Sequence, residues 1–267
     1  MKITILTLFP EMFEGFLSTS IIKRAIAKEA VAVEVVDIRS FTKDKYHRVD
    51  DYPVGGGAGL VMKCQPLLDA LAHVRNATSH VVMMSPRGKT FVQAHAKAYA
   101  QETHLILVCG HYEGVDERVT PYVDEELSIG DYILTGGELA SMVVSDAVIR
   151  LLEGAIRAES SLEESFEENL LEYPQYTLPR RYKGQEIPPI LFSGNHAAIA
   201  KWRRKEQLRI TRTKRPDLYA THPLTKLEKK LVIELDEGIE NPPWLLRAIE
   251  NAPQFQRVDD EEVEKDK

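Results

Sequence analysis

Three stretches of this chain run from an apolar, β-prone segment into a turn of small residues, a pattern suited to gripping a flat ligand with main chain. One is Leu127-Ser128-Ile129-Gly130-Asp131-Tyr132-Ile133-Leu134-Thr135-Gly136-Gly137-Glu138-Leu139, which leads straight into a long apolar segment. The others are His80-Val81-Val82-Met83-Met84-Ser85-Pro86-Arg87-Gly88 and Leu105-Ile106-Leu107-Val108-Cys109-Gly110-His111-Tyr112-Glu113-Gly114. Glycine lets N–H and C=O groups approach a ligand without an intervening Cβ, and Gly136-Gly137 can take the positive φ values of a tight strand-to-helix turn. In open α/β sheets ligands sit beyond the carboxyl ends of the strands. Three such turns within about sixty residues therefore predict one shared pocket rather than three ordinary loops.

A second chemistry is written in charge. The net charge of −7 is unevenly spread. Basic residues dominate between Arg180 and Lys230, with Lys201, Arg203, Arg204, Lys205, Arg209, Arg212, Lys214 and Arg215, while acid collects at 153–172 and in the run 259–264. Such a stripe is either a solvated helix face or a contact for a phosphate backbone, and the embedded Trp202 keeps the second reading open. Cys64 and Cys109 have neither a C-x-x-C partner nor a histidine at metal spacing, so both read as small buried apolar residues.

These residues must be carried by ordinary globular elements. At 267 residues, with 43% hydrophobic and 28% charged, the chain can bury one large or two medium cores. No apolar run approaches the roughly eighteen residues of a membrane span, and the start, with Lys2 before a short apolar run, lacks a secretory pattern. The expectation is a cytoplasmic protein without a membrane partner.

Apolar periodicity predicts strands at 2–8, 31–38, 80–85, 104–109 and 127–134, and helices at 91–101 and 139–152. That alternation implies an α/β fold, a parallel sheet with helices on both faces. The helix after Gly137 carries Leu139, Met142, Val143, Val144, Ala147, Val148, Ile149, Leu151 and Leu152 nearly all round. A helix outside a sheet needs one apolar stripe, so a second protein surface, most economically a second copy, is expected to cover the rest. The pattern dissolves into Ser and Glu before residue 172. The expected division is therefore 1–158 for the ligand-binding domain, 159–172 for a flexible linker, 173–240 for a small basic helical domain and 241–267 for a charged, partly disordered tail. Within the third segment a basic helix is expected over 197–214, ending before Pro216. A second begins at the capping-box pair Thr225 and Glu228, with Leu227, Leu231, Val232 and Leu235 on one face.

The segments GHYEG at 110–114, DERV at 116–119 and SIGDYILTGGEL at 128–139 resemble the TrmD family of tRNA (guanine-N1)-methyltransferases, of the SPOUT class. LTLFPEMF at 6–13, VDDYPVGGGAGLVMKCQP at 49–66, SFEENLLEYPQYTLP at 165–179 and SGNHAAIAKWR at 193–203 keep the same order, so the resemblance covers roughly 1–235. It implies a C-terminal trefoil knot in the sheet domain, S-adenosylmethionine as methyl donor, a homodimer, and guanine 37 in the tRNA anticodon stem-loop, preceded by guanine 36, as target. True knots are almost absent from proteins, so periodicity alone leads to none.

Methylation at N1 requires loss of the N1 proton, which a carboxylate within hydrogen-bond reach can take while a cation near O6 stabilises the charge that accumulates there. By the resemblance Glu164, beside Glu163 and directly before Ser165-Phe166, is the base, standing where the family carries aspartate. Arg150 holds the place of the O6-binding arginine; its spacing from Asp146 equally suits an ion pair along one helix face. The cofactor contacts implied are Met84, Ser85, Pro86, Gly110, Ser128, Ile129, Gly130, Asp131, Tyr132, Ile133, Leu134, Gly136 and Gly137, with Tyr112 and Glu113 lining the cavity. Glu113 is also linked in the family with Mg2+, although the sequence presents no ligand cluster of its own.

For the RNA, the candidates are Gly55, Gly56, Gly57 and Gly59, then Tyr176, Thr177, His196, Trp202, Arg203, Arg204 and Arg209. Leu178 stands where the family has arginine. Two other readings stay open: a SPOUT enzyme acting on ribose 2′-O, and a non-catalytic RNA-binding protein of the same fold.

Overall fold

A computed structural model describes residues 1–155 and 165–252. The chain divides into two compact units, Met1–Ser161 and Leu162–Lys267.

In the first unit, β1 (Lys2–Thr7), β2 (Ala32–Asp37), β5 (Ser79–Thr90), β6 (His104–Cys109) and β7 (Glu125–Ser128) form one sheet in the order β2-β1-β6-β5-β7. A two-residue hairpin, β3 (Asp50–Asp51) with β4 (Val61–Met62), stands beside it. Every pairing in the main sheet is parallel. Successive side chains of a strand face opposite sides, and a parallel sheet is covered on both. Thus Val82, Met84, Leu105, Leu107 and Cys109 pack on α2 (Ser20–Ala27), α4 (Gln93–Tyr99) and α5 (Glu138–Ile149), beside the short α1 (Glu14–Ser18). Val81, Met83, Ile106 and Val108 pack on α3 (Cys64–Val74). The parallel, helix-covered sheet expected from the alternation is present.

Its boundaries differ in two instructive places. The strand expected at 127–134 ends at Ser128, because the Ser128 hydroxyl accepts the Gly130 N–H at 3.2 Å and donates to the Gly130 carbonyl at 3.0 Å, diverting the main chain from the ladder. The turn expected after residue 85 is instead a bulge inside β5: Met84 pairs with Leu127, the chain loops out, and Lys89 pairs with Leu127 again. Gly88 permits this, since a Cβ there would fall 2.3 Å from the Glu126 carbonyl carbon. The flanking helices are also shorter than expected. On α5, Ala140, Ser141, Val144, Ser145, Val148 and Ile149 are buried, while Leu139 and Val143 remain 49% and 47% exposed.

The second unit holds a small hairpin, β8 (Arg181–Tyr182) with β9 (Gln185–Glu186), and the helices α6 (His196–Lys214), α7 (Pro216–Thr221), α8 (Lys226–Asp236) and α9 (Pro243–Glu250). Asn195 caps α6 by accepting the Ala198 N–H at 3.1 Å. Both bonds of the Thr225/Glu228 capping box are formed. Within the segment expected as a charged, partly disordered tail, residues 243–250 form helix α9. Pro243 sits at its first turn, where the missing N–H costs nothing, and Leu245 and Ala248 pack with Ile190 and Trp202. The acidic run 259–264 lies outside the described residues.

Candidate functional site

Strand order places β6, β5 and β7 side by side, so Cys109 and Ser128, at the carboxyl ends of β6 and β7, and Met84, where the bulge of β5 begins, form one edge. The turns beyond them touch. Gly137 donates its N–H to the Gly110 carbonyl at 2.8 Å, His111 and Gly136 form an isolated antiparallel bridge, and Phe91 donates to the Ser128 carbonyl at 2.7 Å. The expected convergence of three small-residue turns therefore exists, but the reason for its glycines is different. Gly137 has an ordinary φ of −81°, and it must be glycine because a Cβ would lie 2.8 Å from the Cys109 Cα and 3.1 Å from the Gly110 nitrogen. At Gly136 a Cβ would meet Glu138 at 2.3 Å and the His111 ring at 2.4 Å. Within these turns Gly114 and Gly130, with φ of 139° and 149°, use the conformational freedom that the sequence suggested for Gly136-Gly137.

Beneath this edge lies a residue that the sequence reading passed over. Glu138, the first residue of α5, is buried and accepts the Thr7 hydroxyl at 2.8 Å, where the positive end of the helix favours a carboxylate. An acid in the first turn after Gly-Gly was the available signal. Cys109 Sγ lies 3.1 Å from Ser141 Oγ, and burial, then the Glu138 charge, raise its thiol pKa. A thiol held protonated is inert, as its reading as a packing residue requires.

Around the edge, Ser85 donates to Glu126 at 3.0 Å, and Arg87 bridges Glu117 and Glu126 at 3.0 and 2.8 Å. Pro86, Asp131, Tyr132 and Ile133 are exposed, Ile129 and Leu134 half-buried. Tyr112 holds a left-handed φ of 61°. Glu113 donates its N–H to the Leu60 carbonyl at 3.0 Å, and Met62 donates to the Gly114 carbonyl at 2.9 Å. This seats the glycine-rich loop against the 110–114 turn, so closely that a Cβ on Gly59 would come within 2.4 Å of Glu113 Cγ. Gly55, Gly56, Gly57 and Gly59 have φ of 95°, 84°, 135° and 77°, which side chains rarely adopt. A candidate RNA loop and a candidate cofactor turn, about fifty residues apart in sequence, are thus neighbours. Arg150 caps the carboxyl end of α5, half-buried, with its N–H on the Asp146 carbonyl at 3.1 Å. Glu163 and Glu164 lie outside the described residues.

The second unit offers a groove of about 410 Å³ lined by Tyr173, Pro174, Gln175, Tyr176, Thr177, Leu178, Ile187, Leu191, Phe192, His196, Ile199, Ala200 and Arg203. Arg203 lies over the Tyr173 ring, 4.5 Å from its centre. Tyr176, Thr177, His196 and Arg203 are therefore brought together.

The remaining cations are less free than the sequence suggested. Arg204 pairs with Glu168 and, at 2.7 Å, with the buried Glu228. Lys205 is 5% exposed and bonds to Glu234 at 3.1 Å and the Ile239 carbonyl at 2.7 Å. Arg209 pairs with Glu206, Arg212 with Asp236 and Arg215 with Asp217. Glu228, Glu234 and Asp236 of α8, with Glu206 of α6 and Asp217 of α7, pair with most of the cations of this stripe. Trp202 is also removed from the RNA candidates: it is core, packed with Ile190, Leu245 and Ala248.

Among the described residues no group of three or more His, Cys, Asp or Glu is placed to hold a metal ion, and no helix is long and apolar enough to cross a membrane.

Comparison with known proteins agrees with the motifs. The family model described as tRNA (Guanine-1)-methyltransferase TrmD matches residues 1–221. The chain is similar to the tRNA (guanine-N(1)-)-methyltransferase of Geobacillus kaustophilus (strain HTA426), with 51% identity over 244 residues, 90% of this chain and 100% of that one. The protein of the same description from Caldanaerobacter subterraneus subsp. tengcongensis is 54% identical over 232 residues, 86% of this chain and 96% of its own. That of Bacillus cereus (strain AH820) is 51% identical over 243 residues, 89% and 100%.

Proposed function

We infer the reaction from one premise: the chain belongs to the TrmD family and is a tRNA (guanine-N1)-methyltransferase. It transfers the methyl group of S-adenosylmethionine to N1 of guanine 37, beside the anticodon of tRNA. The observation that carries the site is the convergence of the turns after β5, β6 and β7, at the sheet edge where α/β proteins hold ligands. The residues present fit the cofactor: the close approach at Gly136 and Gly137 draws the main chain of the turns together at this edge, and Tyr132 and Ile133 offer exposed apolar surface at the rim. When bound, the donor supplies a sulfonium methyl that needs no further activation.

The protein's own groups then do the rest. Glu164 takes the N1 proton, so the N1 lone pair becomes the nucleophile that forms the bond to the methyl carbon as the carbon–sulfur bond breaks. Arg150 faces O6 and stabilises the negative charge that deprotonation places there. The loop at 55–59, seated on Glu113, approaches the nucleotide. Tyr176, Thr177, His196 and Arg203 contact the anticodon stem-loop through the groove they line, where an unstacked base can lie on an aromatic ring. By the same family membership, the turns belong to a trefoil knot, the second unit is the helical tRNA-binding domain, and the enzyme works in the cytoplasm as a homodimer. The half-exposed Leu139 and Val143 are the surface a second copy would cover.

The test is a methyl-transfer assay on a tRNA transcript with guanines at 36 and 37, followed by nuclease digestion and mass spectrometry. The product expected is 1-methylguanosine at 37. A methyl group on ribose would replace this reading with the 2′-O enzyme, and tight binding without turnover would replace it with an RNA-binding protein.

A further inference from the structure

Strand β5 makes a detour that the sheet ladder does not secure. Met84 and Lys89 both pair with Leu127, so residues 85–88 leave the sheet and return to the same partner. Packing fixes the start: a Cβ on Gly137 would lie 3.0 Å from Met84 Cβ, and one on Gly110 would lie 3.6 Å from the Met84 carbonyl oxygen. Gly88 fixes the return, at a point where a Cβ would fall 2.3 Å from the Leu127 nitrogen. Side chains hold the middle. The Ser85 hydroxyl donates to Glu126 Oε2 at 3.0 Å and accepts the Arg87 N–H at 3.2 Å. The Arg87 guanidinium donates to Glu126 Oε1 at 2.8 Å and to Glu117 Oε2 at 3.0 Å, and the Thr120 hydroxyl donates to the other Glu117 oxygen at 3.2 Å. Arg87 thus ties the detour to β7 on one side and to the turn at Glu117–Tyr122 on the other.

Stability is a poor reason for this clasp. The side chains of Arg87 and Glu117 are 60% and 70% exposed, and pairs so open to water add little to folding. Glu126, at 16%, is the sheltered member, and residues of the detour take both of its oxygens. A guanidinium set between two carboxylates fixes direction. Ser85 and Pro86, which the clasp encloses, are among the residues assigned above to S-adenosylmethionine. A loop already held in its binding shape spares the ordering cost that otherwise weakens affinity. We propose that Arg87 and Glu126 are positioning residues of the cofactor site, which hold residues 85–88 in the shape that meets S-adenosylmethionine. The proposal rests on reading the edge of β5, β6 and β7 as that site.

The test uses the full chain, with S-adenosylmethionine as the probe. Calorimetry gives its Kd, turnover of the transcript gives kcat and KM, and NMR follows exchange of the Arg87, Gly88 and Lys89 amides in the ligand-free protein. Arg87→Met and Glu126→Gln are each expected to raise Kd and KM for S-adenosylmethionine at least fivefold, with kcat at saturating donor within twofold of the parent. The three amides are expected to exchange at least tenfold faster. Arg87→Lys keeps the charge but reaches only one carboxylate, and its Kd is expected to fall between parent and Arg87→Met. Arg75→Met is the control: it removes a similar bridge, to the Tyr122 carbonyl and Asp124, at the amino end of β7, and should leave Kd and exchange unchanged.

Thermal melting confirms that the variants fold, and the exposed Arg87 supplies the decisive one if Glu126→Gln does not. A Kd within twofold of the parent in folded Arg87→Met, a loss confined to kcat, or equal effects in Arg75→Met would each overturn the proposal. Should the parent itself fail to bind S-adenosylmethionine, the reading of the edge as the cofactor site fails and the proposal with it.

Discussion

Gly136 and Gly137 show how far single residues are legible in sequence alone. Their position after a strand and before a helix marked them as part of a site, but the reason for glycine lay in atoms about thirty and fifty residues upstream, Cys109 Cα and Met84 Cβ, which no local pattern names. The consequence is measurable. Gly137→Ala places a methyl 2.8 Å from backbone and is expected to destabilise the first unit by about 1–3 kcal/mol, seen as a lower Tm in calorimetry. Gly15→Ala, in α1 with open space at its Cβ, is the control and should be neutral or slightly stabilising. Equal effects at both positions would contradict the close-approach argument. Glu138 escaped notice for the converse reason: an acid opening a helix is common, and only burial against Thr7 sets this one apart.

Elements such as β1, β6 and α6 were legible from local composition: short apolar runs that are buried at nearly every position in the strands, and a basic helix that stops before Pro216. Others were not. Helix α9 is short and follows Pro-Pro before an acidic tail, so its apolar face was invisible until Trp202 supplied the surface for it. The basic stripe of α6 misled in a related way, because Glu228, Glu234 and Asp236 arrive from α8 to pair with it.

Glu228 gives this pairing a pH signature. Burial pushes its carboxyl up, but the Thr225 N–H and hydroxyl, His222 and Arg204 together bring it down to about 2 from an ordinary 4.5. A depressed carboxyl pKa adds stability that is present above about 4.5 and is lost as pH falls towards about 2. The chain's two tryptophans, Trp202 and Trp244, both lie in the second unit, so tryptophan fluorescence reports on it alone. Melting followed in this way is expected to show a Tm that falls steeply over that acid range, and a shallower fall in Glu228→Gln. Identical slopes would contradict this electrostatic role for Glu228. At the groove, Arg203→Ala is expected to weaken tRNA binding and to reduce the slope of log affinity against log salt by about 0.7, the value for one phosphate contact to single-stranded nucleic acid. An unchanged slope in filter binding would place the RNA elsewhere.

At the scale of the molecule, the α/β class and the order of its elements followed from alternation, whereas the proposed knot rests only on family resemblance, and the proposed dimer on that resemblance and on the apolar helix after Gly137. A knot has no period, and a helix that is apolar all round does not say what covers it. The proposed homodimer is tested by Leu139→Asp with Val143→Asp: sedimentation is expected to give a monomer with turnover at least tenfold lower, and a fully active monomer would contradict a need for the second copy in catalysis.

The central claim, that a carboxylate from the segment joining the two units removes the N1 proton, is tested most directly by the single-turnover rate of Glu164→Gln on a transcript with guanines at 36 and 37. The expected result is a rate at least tenfold below the parent, with S-adenosylmethionine affinity unchanged. A rate equal to the parent would contradict the claim.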